Sequence, residues 1–188
     1  MWALVEDGSI TKIINKPRGM IIDGIQYSRK IFSLWSKSER EAKGIYEIVW
    51  NNAKKKDEAY YINTDVSYAF GNGKVTASYG DATARAHADT TDDDGNVTAT
   101  GLKTKRIKTL KAQAAGELSK TDWYIVRKAD ADTAVPSAIT NHRAAVRTKC
   151  AQMETAITNA SNTAAIETLY TRNAEGVRPL GDLPTLEV

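Results

Sequence analysis

Residues 120–136 read KTDWYIVRKADADTAVP. Four bulky residues, Trp123 to Val126, stand between a charged entry and a small, polar exit. Trp, Tyr, Ile and Val all favour strands, so a buried strand is one reading. A short helix is a second, and an aromatic, basic surface for nucleic acid a third. Thr121 suits an N-cap and Asp122 complements the positive end of a helix dipole. Helical patterns lie on both sides. The stretch is therefore expected to form a short helix from Asp122 to about Asp132-Thr133, with a strand as the runner-up. Trp123, Val126 and Asp130 share one face of that helix, with Tyr124 and Arg127 beside it.

Upstream, in LKTKRIKTLKAQAAGELS (residues 102–119), Ile107, Leu110, Ala114 and Leu118 recur at helical spacing, with lysines on the other face. Downstream, Ile139, Val146, Cys150, Met153 and Ile157 are spaced 7, 4, 3 and 4 residues apart, a narrow a/d-like seam. Pro136 suits the first turn of that helix. NTAAIETLY (162–170) predicts a short further helix. RPLGDLPTLEV (178–188), with two prolines and a glycine, cannot continue one.

The first eighty residues read differently. Asp7-Gly8 joins WALV to ITKIIN as a hairpin, MIIDGIQY breaks at another Asp-Gly pair, and Asn72-Gly73 centres the clearest hairpin. Lys16-Pro17-Arg18-Gly19 ends the second strand. Ser36 and Glu39 have capping-box spacing, and Gly44 sits where a glycine would stop that helix. IYEIVW (45–50) alternates like a strand. Between the halves, DATARAHADTTDDDGNVTATG (81–101) is poor in bulky residues and reads as a linker or surface excursion. The expected class is α+β: an antiparallel β domain over 1–85, a linker or loop over 86–100, a helical region over 101–170 and an extended tail over 171–188.

Composition narrows the function classes. The chain has 188 residues, 41% hydrophobic and 26% charged, with a net charge of +3. That suffices for a folded core and falls short of a dedicated nucleic-acid binder. Residues 1–100 carry 13 basic and 14 acidic side chains, residues 101–188 carry 13 and 9, so the C-terminal half holds the excess. Cys150 is the only cysteine, which leaves no internal disulfide and no multi-cysteine metal site; it is expected as a small core residue. No apolar run approaches the roughly 18 residues of a membrane span. MWALVEDGSITKI reads as strand and turn rather than as a signal peptide.

Motifs that would carry chemistry fail on their own terms. GNGK (71–74) has Tyr68 where a phosphate loop needs glycine, and Val75 where it needs Ser or Thr. Aligning Gly95 of DTTDDDGN with the glycine of a calcium loop puts Thr90 and Gly101 at its two end ligands. His87 and His142 lie far apart, with no nucleophile constellation near either. The expectation is no enzyme, no cofactor and no metal. The basic helix carrying Lys103, Lys105, Arg106, Lys108 and Lys111 is the one contender for phosphate contacts, and without a recognition motif it leaves nucleic-acid binding a minor alternative.

LSKTDWYIVRKADADTAVPSAITNHRAAVRTKCAQMETAI (118–157) resembles the C-terminal segment of small bacteriophage tail-fibre-assembly and tail-fibre-associated proteins. The matching residues are Thr121, Asp122, Trp123, Arg127, Val135, Pro136, Arg143, Val146 and Arg147. IFSLWSKSEREAKGIYEIVW (31–50) is similar to an N-terminal part of such proteins. The resemblance implies a non-enzymatic tail component that attaches fibres or closes an adaptor surface, present in several copies or as a homo-oligomer, assembled in the host cytoplasm and located in the virion. Other tail or fibre proteins are its implied partners, and no membrane is. An assembly chaperone that leaves before maturation is the alternative, although the regular β-rich half and the partly apolar tail favour a virion component.

On this reading Trp123 and Val126 pack into the bundle and free Arg127 and Lys128 at the flank. The expected partner-binding residues are Arg127, Lys128, Arg143, Arg147, Pro179, Leu180, Leu183 and Leu186. Deleting 179–188 is expected to spare the fold and impair assembly.

Overall fold

Three Asx-Gly pairs bend the N-terminal half. Asp7-Gly8, Asp23-Gly24 and Asn72-Gly73 have positive φ at both residues, as a type I′ hairpin turn requires. They join β1 (Trp2–Glu6) to β2 (Ser9–Ile14), β3 (Met20–Ile22) to β4 (Ile25–Tyr27), and, further on, β7 (Ser67–Gly71) to β8 (Lys74–Ser78). In this computed structural model, described for residues 1–186, the chain forms two compact units, Met1–Thr83 and Ala84–Val188. Strands fill the first and helices dominate the second, an α+β protein as expected.

Between β4 and β7 come α1 (Ile31–Leu34), α2 (Lys37–Ala42), β5 (Ile45–Asn51) and β6 (Tyr61–Ile62). Ser36 and Glu39 close the expected capping box at α2: the Glu39 N–H donates to Ser36 Oγ at 3.2 Å, and the Ser36 N–H donates to the Glu39 carboxylate at 2.7 Å. Gly44 follows at φ +73°, and an added Cβ would stand 2.3 Å from the Val5 carbonyl oxygen. Only glycine lets the chain turn there and bring β5 beside β1.

The main sheet runs β2-β1-β5-β8-β7. Its pairings are antiparallel except β5 with β8, which is parallel. The expectation of an antiparallel domain is corrected at that pair. Residues 52–73 supply the long connection a parallel pairing demands. Thr11 is left unpaired in a bulge of β2, which sets Ile10 and Ile13, three residues apart, against the same cluster. One face of the sheet packs Ala3, Val5, Ile48, Val75 and Ala77; on the other Leu4, Ile14 and Ile45 meet Met20, Ile22, Ile31 and Phe32.

After β9 (Thr83–Ala84), the second unit begins with a small surface hairpin, β10 (Thr90–Thr91) and β11 (Val97–Ala99). Residues 86–89 also cap α3 (Leu102–Ser119). The Leu102 and Lys103 N–H groups donate to the carbonyls of Ala86 and His87 at 2.9 Å each, and the Gly101 N–H donates to the Asp89 carboxylate at 2.7 Å. A helix start otherwise leaves such donors unpaired. This part of the 86–100 stretch is thus integral to the helical unit.

Next come α4 (Asp122–Ala131), α5 (Ser137–Asn159) and α6 (Thr163–Tyr170). α3 and α5 form an antiparallel hairpin: Lys103 Nζ reaches the Thr158 carbonyl at 2.8 Å near one end, and Arg143 reaches the Leu118 carbonyl at 2.7 Å near the other. Leu110, Met153, Ile157 and Leu180 make its core, joined by Ile107, Cys150, Leu169, Tyr170 and Leu183. Asn162 caps α6 by accepting the Ala165 N–H at 2.9 Å.

Candidate partner-binding face

The α5 seam has a gap. Ile139 and Val146 are seven positions apart, and the seam position between them holds Arg143 instead of a large apolar residue. It is 8% exposed and aligned with Ile139, Val146, Met153 and Ile157 on the buried face of α5. Its Nη1 donates to the Leu118 carbonyl at 2.7 Å, to Thr121 Oγ1 at 2.7 Å and to the Asp122 carboxylate at 2.8 Å. Thr121 is fully buried, and its hydroxyl donates to the same Leu118 carbonyl at 3.0 Å.

One buried guanidinium therefore ties together the end of α3 and the start of α4. Thr121, Asp122 and Arg143 act as a single clamp. Thr121 occupies the N-cap position, but its side chain makes no cap hydrogen bond. Arg143 is thus corrected from a partner contact to an internal one.

What the clamp holds is a helix that buries none of its own residues. Trp123 is 51% exposed, Ile125 43% and Val126 65%. The expectation that Trp123 and Val126 pack into the bundle is overturned. Burial belongs to Thr121 just before the helix and, in part, to Tyr124. The physical reason is geometric: the connection from 132 to 136 returns the chain to α5 at once, so α4 lies at the turn of the hairpin rather than between its two helices. Asp132, in a left-handed conformation at φ +47°, ends the helix.

The charged residues of α4 divide. The Arg127 guanidinium lies 4.6 Å from the Trp123 ring centre and 5.6 Å from that of Tyr124, and the two rings meet at a 33° tilt with centroids 3.8 Å apart. No carboxylate pairs with Arg127 among the described residues. Lys128 pairs with Asp132 at 3.2 Å, both in water. Arg147 is exposed on α5.

The expected tail contacts divide as well. Pro179 is exposed and Leu186 half-buried, whereas Leu180 is 3% exposed in the core, with Leu183 against it. Leu180 is corrected to a core residue. The Leu180 N–H donates to the Leu169 carbonyl at 3.0 Å. Asp182 takes Arg172 in a two-pronged pair and Arg178 at 2.8 Å. The hydrogen bond from Arg172 holds the Asp182 carboxyl below its ordinary value of 3.8; modest desolvation opposes this, and the charges of Arg178 and Arg172 reinforce it. The tail residues 187–188 lie outside the described residues.

On the basic helix, Lys103 bonds to Thr158, Lys111 pairs with Glu154 at 2.7 Å, and Arg106 lies over Tyr170 at 4.7 Å. Three of its five cations thus serve the unit's own packing. In DTTDDDGN, Asp92 Oδ1 accepts the N–H groups of Asn96 and Asp94 at 2.8 and 3.1 Å, and the Asn96 bond is the main cause of a carboxyl held below 3.8. That carboxylate organises a hairpin turn. Among the described residues no three His, Cys, Asp or Glu side chains come together to hold a metal ion, and no helix is long and apolar enough to cross a membrane. A shallow recess of about 670 Å³ in the first unit is lined by Glu6, Asp7, Ser9, Thr11, Asp23 and Lys43 among others, with no histidine beside its hydroxyls.

The signal that could have located the clamp was the missing apolar residue at 143; nothing local in the sequence marks Trp123 as exposed. No protein-family model matches the chain, and neither a curated protein nor a solved structure matches it.

Proposed function

We propose that the chain is a non-enzymatic structural component of a bacteriophage tail, acting through protein–protein contacts made by α4. One observation carries this reading. The segment that resembles tail-fibre-associated proteins includes the helix whose Trp123, Ile125 and Val126 stand uncovered. A clustered apolar surface of this kind marks interaction sites in folded proteins. The matching residues Thr121, Asp122 and Arg143 hold that helix in place, so the pattern describes both a presented face and its support.

Its partners are other tail or fibre proteins, its location is the virion, and it is assembled in the host cytoplasm in several copies. The test is mass spectrometry of gradient-purified, high-salt-washed virions with copy number per particle. A fixed stoichiometry at a small multiple of three or six is expected. Absence from virions, with abundant protein in the infected lysate, replaces the tail component with an assembly chaperone.

A further inference from the structure

We propose that copies of this chain associate head to tail through the first unit, the basic end of one copy seated on the acidic recess of the next. The inference goes beyond the function proposed above and is independent of it, because it concerns only how the chain meets itself.

Strand direction separates the charges. β1 runs from Trp2, opposite Ile14, to Glu6, opposite Ser9. At the Glu6 end two hairpin turns meet, and Glu6, Asp7, Asp23 and Lys43 border the recess of about 670 Å³. At the Ile14 end the chain continues through Lys16-Pro17-Arg18, and β4 brings it back to Arg29 and Lys30. Pro17 joins two recesses there, of about 450 and 280 Å³, lined by Lys16, Arg18, Arg29 and Lys30, with Phe32 in the larger.

Neither end is neutralised from within. All four cations are exposed, and none makes an ion pair among the described residues. Register puts Glu47 opposite Trp2 at the same end, out of ion-pair reach of all four. Glu6 and Asp7 are exposed and make no ion pair among the described residues, and Asp23 meets Lys43 only at 3.7 Å. Four strand residues at about 3.3 Å each put the two ends roughly 13 Å apart. That exceeds the Debye length of about 8 Å at physiological salt. One copy therefore leaves both ends unsatisfied, and two copies in contact satisfy one end of each.

Complementarity selects a second copy over another polyanion. Four cations diluted by Glu47 face three carboxylates diluted by Lys43, so the opposing charges are similar in size. A single-stranded nucleic acid would engage only the basic end. The aromatic ring of that recess, Phe32, is 7% exposed and offers bases no face to stack on. A second copy engages both ends at once, and two arginines supply two-pronged bonds to its carboxylates. The two surfaces in contact differ, so the contact repeats from copy to copy and builds a ring or an open chain.

The test is sedimentation velocity of the purified full-length chain at about 50 and about 500 mM NaCl. Self-association at the lower salt, weakened at least about tenfold at the higher, is expected. Arg18→Glu with Lys30→Glu, and Glu6→Lys with Asp7→Asn, should each be monomeric with the wild-type Tm. Asn keeps the left-handed backbone of position 7, as Asn72 does in its own turn. Mixing the two variants leaves one matched pair of ends, so a one-to-one complex and nothing larger is expected. A wild-type chain that is monomeric at the lower salt overturns the proposal, as does association indifferent to salt or to either variant. Variants that stay apart when mixed overturn it too. So does a monomeric chain whose basic end binds a labelled single-stranded oligonucleotide, which assigns that end to nucleic acid. The tail function is tested in virions and this contact in purified protein, so each stands or falls alone.

Discussion

Arg143 makes three hydrogen bonds from an almost fully buried position in the second unit. It sits in an apolar seam, where an unpaired guanidinium would be strongly unfavourable, and its three acceptors offset that cost. Arg143→Ala is expected to destabilise the unit by about 2–3 kcal/mol, because Thr121 and the Leu118 carbonyl lose a charged donor. Asp122 is more than half exposed, so Asp122→Asn should cost under about 1 kcal/mol. Urea midpoints of the two variants test the ordering, and equal shifts would show that the buried bonds contribute little.

Asp182 makes a pH-dependent contribution. Its folded-state value lies below the unfolded one, so the stability it adds is complete above the ordinary carboxylate range and lost as pH falls through the folded value. The difference in Tm between the wild type and Asp182→Asn should therefore be constant from pH 5 to 7 and close below about pH 4. A gap that persists at the acid end would mean the arginine pairing is not its source.

At the scale of elements, the C-terminal tail changes role. Read as an extended end, it is expected to lie on a neighbour. In the fold it crosses its own helical hairpin, with Leu180 filling the space between Leu110, Met153 and Ile157. Arg172 and Arg178 fasten the following turn. Leu180→Ala should cost about 2–4 kcal/mol. Deleting 179–188 is now expected to abolish cooperative unfolding of the helical unit, the reverse of the sequence-based expectation. A truncated chain with unchanged thermal unfolding would restore that expectation. α4 shows the converse: its apolar residues promise burial and remain in water.

For the whole molecule, the two units have separate cores. Residues 3 to 77 supply the clusters of the first, and Ile107 to Leu183 include the cluster that holds the helices of the second. A fragment spanning 84–188 should keep the helical circular dichroism of the intact chain and a cooperative transition. A fragment that is unfolded alone would show that the second unit depends on the first.

The sequence by itself determined the class and most elements of this protein. Asx-Gly pairs, a capping box and helical spacing are local signals, because φ, capping and periodicity are set by residues a few positions apart. Only the tertiary structure decided which apolar residues are covered. Trp123 and Leu180 read alike as large and apolar, yet one lies in solvent and the other in a core. Burial depends on what packs from elsewhere in the chain: α3, α5 and α6 close over the tail, and nothing in either unit's own core closes over α4. The parallel β5–β8 pair and the Arg143 clamp belong to the same class of facts, since each joins residues more than twenty positions apart.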